Sequence, residues 1–238
     1  MTTEFPPLAV VIPAAGIGKR MQADVTKQYL KLDDQTILEH TIRAFTALPF
    51  VELVVVAIAP HDTVFSTLAI AKHKKLVTVE GGQERAHSVL SGLKYLIEQD
   101  MKWVMVHDAA RPCVLSRDIQ ALYTRCIDNN ASGILATKVR DTMKRAVTGT
   151  DKIATTVERE DLWHALTPQC SKIATLYRAL SQAFDQTGAV SPEITDEASA
   201  LERAGETVYL VEGSVRNIKV THPEDLPLAK IFISSEIR

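Results

Sequence analysis

Apolar residues fall along this chain in two alternating rhythms. Unbroken apolar runs stand at 8–12, 53–59 and 103–106, and mainly apolar, strand-like runs at 76–79, 133–138 and 207–211. Runs of this kind suit parallel strands covered on both faces, because a half-exposed strand alternates apolar with polar residues. Between the runs, apolar positions recur three and four residues apart, the period of one helical face. Leu38, Ile42, Phe45 and Leu48 make one such face, opened by a capping box of Thr36 and Glu39 and closed at Pro49. Val89, Leu93, Leu96 and Ile97 mark another within 85–99, and Ile173, Leu176, Leu180 and Phe184 a third. The pattern also predicts a short helix to about Ala71, one capped by Ser116 and reaching Asn130, and one capped around Thr195, Asp196 and Glu197 that closes near Gly205. A final helix carries Leu226, Leu228, Ile231 and Phe232 behind a capping box of Thr221 and Glu224. Strands alternating with helices predict an α/β fold, a mainly parallel sheet flanked by helices.

Two segments break the rhythm. From 139 to 158 the chain carries Arg140, Lys144, Arg145, Lys152 and many threonines, with Thr148-Gly149-Thr150-Asp151 between two strand-like runs. That is a hairpin signature outside the strand and helix alternation, suited to a lid or a dimerisation arm. Residues 164–169 read as a short extended segment.

Composition narrows the classes. A length of 238 residues with 46% hydrophobic content supports one domain with a full core. The 27 basic and 29 acidic residues are mixed and leave a net charge of -2, so no global field favours nucleic acid or an anionic membrane. Any anion site must be local. Cys113, Cys126 and Cys170 are widely spaced and unmatched to histidines at zinc-ligand spacing, which predicts reduced, buried thiols. The first residues lack a basic and apolar leader, and no window reaches about 18 apolar residues, so the expectation is a soluble cytoplasmic protein.

The chemistry-bearing residues gather at the ends of strands. The first strand runs into Pro13-Ala14-Ala15-Gly16-Ile17-Gly18-Lys19-Arg20, with Lys27 seven residues on. Small residues there let backbone N–H groups approach a phosphate, and cations close over it. The spacing fits neither a dinucleotide fingerprint, which needs a third glycine where Met21 stands, nor a P-loop, which needs Ser or Thr where Arg20 stands. Gly81-Gly82 precedes a helix with Ser88 in its first turn, either a plain turn or a second anion or ribose site. Asp108 follows a buried strand at the sheet edge where ligands bind in open α/β folds, making it a candidate magnesium ligand. Its neighbour His107 points to the opposite face and reads as structural. Capping accounts for Thr195 and Asp196. Gly16, Gly18, Lys27, Gly82, Ser88, Asp108 and Lys219 together supply phosphate-binding amides, cations and one metal carboxylate, equipment for phosphoryl or nucleotidyl transfer.

In this order the motifs resemble one family over nearly the whole chain, the 2-C-methyl-D-erythritol 4-phosphate cytidylyltransferases of the non-mevalonate isoprenoid pathway. The resemblance rests on residues 13–21, Lys27, Gly81-Gly82, Glu84-Arg85, Ser88-Val89, 107–112, Asp141-Thr142, 162–169, Thr195-Asp196-Glu197 and 217–221. It implies a Rossmann-like nucleotidyltransferase fold, a single domain over 1–238 with a β-arm at 139–160 exchanged in a homodimer, and magnesium-dependent condensation of CTP with methylerythritol phosphate. It further implies that Ala14, Ala15, Gly16 and Gly18 wrap the triphosphate, that Arg20 and Lys27 are catalytic cations, and that Gly82 and Ser88 read the base. Asp108 would hold the metal. Arg111, Thr142, Thr195 and Lys219 would line the sugar-phosphate pocket, with Arg159 reaching the other subunit's substrate.

Two positions depart from the family's commoner pattern, Gln83 and Arg216, where acidic residues often stand. Other readings are a cytidylyltransferase for another polyol phosphate, such as ribitol 5-phosphate, and a catalytically silent nucleotide-binding protein. The missing third glycine disfavours a nicotinamide-dependent oxidoreductase.

Overall fold

The computed structural model describes residues 5–16, 26–185 and 187–235. At its centre lies β1 (Leu8–Pro13), parallel on one side to β4 (Val51–Ile58) and on the other to β6 (Trp103–Val106). Outside β4 lies β5 (Leu76–Glu80), also parallel. On the other flank β7 (Ser132–Lys138) pairs in parallel with β11 (Val208–Glu212), and β10 (Trp163–Lys172) fits antiparallel between β6 and β7. The sheet order is therefore β11, β7, β10, β6, β1, β4, β5. A small pair, β2 (Lys31–Leu32) and β3 (Gln35–Thr36), stands apart, and so does the hairpin of β8 (Met143–Ala146) and β9 (Ile153–Val157).

Both sheet faces are covered, which is why β1, β4 and β6 carry the unbroken apolar runs. Leu8, Val10 and Ile12 of β1 face a core shared with α1 (Ile37–Thr46) and α3 (Ser116–Asn129), through Leu38, Ile42, Phe45, Ile119 and Tyr123. Ala9 and Val11 face α2 (Arg85–Glu98), α4 (Ile173–Ser181) and α5 (Glu197–Arg203), through Val89, Leu93, Leu176, Leu180 and Leu201. Each such Val, Leu, Ile or Phe side chain, fully buried, contributes about 1.5–3 kcal/mol. Connections from β1 run outward in opposite directions, to β4 on one side and later to β6 on the other. The strand order thus reverses beside β1, and the crevice beyond the carboxyl ends of β1 and β6 is the expected ligand position in such a sheet.

Several local expectations need correction. The extended segment expected at 164–169 is present but longer, the ten-residue strand β10 in the middle of the sheet. Its polar sequence hid that length, and Pro168 is accommodated because the register with β7 shifts between Ala165 and Gln169. Ser116 is the first residue of α3 and gives no cap, the N-cap being Leu115. The chain before α6 (Asp225–Ser234) is held by Asp225, whose Oδ2 accepts the Thr221 and His222 N–H groups, in place of a box with Glu224. Phe184 lies past α4 and bridges to Val190. The helix expected to end near Ala71 is two 3-10 turns, Phe65–Thr67 and Ala69–Lys72. Ile97, Leu228 and Ile231 are exposed, each on the outer side of its helix. The Thr36 and Glu39 box is present as predicted. Among the described residues, no helix is long and apolar enough to cross a membrane.

Candidate functional site

The exits of β1 and β5 are locked together by backbone contacts. Ala14 N–H donates to Ala57 O at 2.7 Å, and Gly81 N–H donates to Ile58 O at 2.7 Å. A Cβ on Gly81 would stand 2.5 Å from Ala15 Cβ and 2.8 Å from Ser88 Oγ, so only glycine lets the two loops meet. Gly82 N–H donates to Ser88 Oγ at 3.1 Å, tying the loop to the first turn of α2. On the other side, the buried Gln28 amide donates to Ala14 O at 2.7 Å, which fixes the turn carrying Lys27 against the end of β1.

These exits border a cavity of about 350 Å³. Of the residues singled out in the sequence, Ala14, Ala15, Gly16, Lys27, Gly82, Ser88, Asp108 and Lys219 line it. Gly18 and Arg20 lie outside the described residues. Thr195 lines a smaller adjoining pocket of about 80 Å³, and Arg85 lines both cavities. Thr142 and Arg159 sit at the base of the β8 and β9 hairpin and line neither cavity; the Arg159 guanidinium donates to Arg140 O.

Asp108 is the electrostatic centre of the cavity wall. Its Oδ1 accepts from Arg85 Nε at 3.0 Å, and its Oδ2 accepts from Lys219 Nζ at 2.9 Å and Arg111 Nε at 3.3 Å. Burial opposes the carboxylate's charge, but Arg85, Lys219 and Arg111 outweigh it and hold the group well below the usual carboxylate range. Arg111 also donates to Asn217 O at 2.7 Å, so the Lys219 segment is pinned to the same hub. With one N–H on Oδ1, the ionised carboxylate keeps a lone-pair position for a hard cation. No group of three His, Cys, Asp or Glu side chains suited to a metal occurs among the described residues. One carboxylate with a lone-pair position left open is what these residues offer a hard cation, whose other positions would fall to water and substrate oxygens.

His107 is fully buried and linked to the opposite side of the hub. Its Nε2 lies 3.0 Å from Arg111 O, an acceptor only, so Nε2 carries the proton and Nδ1 accepts from Thr167 Oγ1 at 3.0 Å. Burial pushes the imidazole down to about 4, with the Arg111 carbonyl opposing that shift, so the ring is neutral near pH 7.

Arg85, Thr167, Gln169 and Glu197 stand in the sequence only as parts of the family motifs, Glu197 also within a helix cap, yet all four are bonded into the site's framework. Arg85 donates to both oxygens of Glu197, at 2.6 and 3.0 Å. Gln169 accepts from Ala198 N–H at 2.8 Å and donates to Asp196 at 2.8 Å, bonding β10 to the start of α5. Of the two departures from the family pattern, Gln83 lines the cavity, and Arg216 turns toward Phe232 and Ser235 on the C-terminal helix.

A family profile described as 2-C-methyl-D-erythritol 4-phosphate cytidylyltransferase matches residues 8–235. The chain is 53% identical over 238 residues to the protein of that description from Vibrio vulnificus (strain CMCP6), covering 99% of this chain and 98% of that protein. It is 50% identical over 237 residues to the one from Escherichia coli O127:H6, covering 100% and 98%. The crystal structure of the Francisella tularensis 2-C-methyl-D-erythritol 4-phosphate cytidylyltransferase superposes with a TM-score of 0.80 at 36% identity, over 95% of this chain and 99% of that one.

Proposed function

The chain belongs to the 2-C-methyl-D-erythritol 4-phosphate cytidylyltransferases, and from that premise we propose which of its residues do the work and where. The reaction transfers CMP from CTP to 2-C-methyl-D-erythritol 4-phosphate, giving 4-diphosphocytidyl-2-C-methyl-D-erythritol and pyrophosphate. The nucleophile is a phosphate oxygen already ionised at neutral pH, so the site needs no general base. What it needs is alignment of two anions and cations to offset their repulsion.

In this reading Ala14, whose own N–H is spent on Ala57 O, borders the triphosphate, and the amides of Ala15 and Gly16, continued by Gly18, wrap it. Lys27 and Arg20 offset the charge that builds on the α-phosphate and the leaving pyrophosphate. Gly82 and Ser88 receive the cytosine, with the Ser88 hydroxyl already bonded to the loop. Arg111, Thr195 and Lys219 take the polyol phosphate. Asp108 would hold magnesium, which when bound supplies further charge neutralisation across the phosphates. The chain acts as one nucleotidyltransferase unit over 1–238. Residues 139–160 form the arm of a homodimer, through which Thr142 and Arg159 of the partner subunit complete the site. The support for an exchanged arm is the hairpin itself, which stands apart from the sheet with Met143, Val147 and Ile153 exposed.

The observation that carries this reading is a single cavity with the Ala14, Ala15 and Gly16 turn at one border and Asp108 with Lys219 at another. Pyrophosphate release from CTP, with 2-C-methyl-D-erythritol 4-phosphate or ribitol 5-phosphate, with and without magnesium, tests it. Turnover of the methylerythritol substrate that needs the metal is the expected result. Turnover that survives chelation would remove magnesium from the reading, and the reverse substrate preference would overturn the assignment of the polyol pocket.

A further inference from the structure

Glu197 is 1% exposed, and both of its oxygens are taken by Arg85. It is not required as a helix cap, because Asp196 and Ser199 already form a capping box at the start of α5. A buried ion pair by itself is weak evidence for stability, since desolvation costs about as much as attraction returns. Arg85 continues the chain of charge, donating its Nε to Asp108 at 3.0 Å. Carboxylate, guanidinium and carboxylate thus form a bridge from the helix that follows Thr195 to the hub that holds Lys219 and Arg111. The Gly81-Gly82 loop sits just before Arg85, so the bridge joins three walls of the two adjoining pockets.

We propose that Glu197 is a positioning residue for the transfer reaction: it anchors Arg85, and through it sets the Asp108 carboxylate relative to the polyol-phosphate wall. The inference rests on the site assignment above. Glu197 need not touch substrate. Its charge keeps Arg85 from closing fully onto Asp108, and its place on α5 makes the two half-sites move as one.

The test is a double-mutant cycle on the full chain. Glu197→Gln is expected to lower kcat by roughly tenfold to a hundredfold, the usual cost of losing a partner behind a liganding group. The variant should stay folded at the assay temperature, since Arg85 keeps its bond to Asp108 and the Gln amide oxygen can still accept from it, so the loss of rate is not a loss of folded protein. CTP affinity measured by calorimetry without metal should change by less than about threefold. Arg85→Gln with Glu197→Gln should be no worse than Arg85→Gln alone, because Glu197 acts through Arg85. Glu197→Asp, which keeps the charge, should recover part of the rate and carries the same comparison if Glu197→Gln does not fold. Additive losses, or wild-type kcat in Glu197→Gln, would overturn the proposal. Wild-type enzyme that is inactive with the methylerythritol substrate would instead sink the assignment beneath it.

Discussion

The Thr167 hydroxyl lies 3.0 Å from Nδ1 of His107 and accepts the Asp108 backbone N–H at 3.1 Å. One hydroxyl therefore serves as donor to a buried ring and acceptor for the residue at the centre of the site. The strand bearing Thr167 is held in turn by Asn217, whose Nδ2 donates to Thr167 O at 2.7 Å.

Thr167→Val keeps the shape and removes the hydroxyl. It strands the Asp108 N–H and the His107 Nδ1 lone pair in a buried place, at a cost of about 1–3 kcal/mol. Urea denaturation should show that loss, together with a fall in kcat as Asp108 loses its backbone restraint. A variant as stable as wild type would show that the two groups find other partners.

His107 also predicts a pH dependence of stability. Its folded value near 4 lies below the ordinary value of 6.5, so below about pH 6.5 the unfolded chain takes up a proton that the folded chain refuses. Stability from this group is complete above that point and is lost as pH falls toward 4, by about 3 kcal/mol in total. Asp108, held well below the usual range, adds its own loss only at lower pH, as its carboxylate is forced to protonate. Unfolding free energies measured from pH 7 to pH 4.5 should decline in the wild type and decline less in His107→Asn. Parallel curves would refute the assignment.

Much of the fold was legible because covering both faces of a parallel sheet leaves an unbroken apolar run, as in β1 and β4. The full length of β10 was not, because its polar side chains are satisfied by residues far along the chain: Gln169 by the start of α5 and Thr167 by the His107 segment. The site divides in the same way. Asp108 and Gly82 sit just past the ends of β6 and β5, where position alone announces a ligand site. Lys219 instead lies seven residues beyond β11 and is brought in by the bonds from Val220 N–H to Ala110 O and from Arg111 to Asn217 O. The Arg85 and Glu197 pair spans 112 residues, and only the packing of α2 and α5 against α4 brings it together. The available signal was a carboxylate directly after Asp196, where a cap had already been supplied.

A site completed by a second copy should show complementation. Lys27→Ala and Arg159→Ala are each expected to be nearly inactive, the first through lost charge stabilisation and the second through lost contact across the dimer. Mixing them after subunit exchange should restore about a quarter of wild-type activity per chain, since half the dimers are mixed and each mixed dimer holds one intact site. No recovery on mixing, with exchange verified by native mass spectrometry, would place Arg159 in its own subunit's site or outside any site.

Two glycines separate packing from ligand contact. Gly81→Ala forces a methyl to 2.5 Å from Ala15 Cβ and 2.8 Å from Ser88 Oγ, while hydrogen bonds at Ala14 and Gly81 hold both loops to β4. The loops must part, so stability should drop by about 1–3 kcal/mol and CTP affinity should fall with it. Gly16 differs, because a Cβ there meets nothing within 4 Å. Gly16→Ala should fold as stably as wild type, so any loss of CTP affinity in calorimetry must arise from the methyl meeting the triphosphate. Unchanged affinity in Gly16→Ala would take Gly16 out of the phosphate cradle and leave the amide of Ala15 as its described part, the Ala14 N–H being held by Ala57 O.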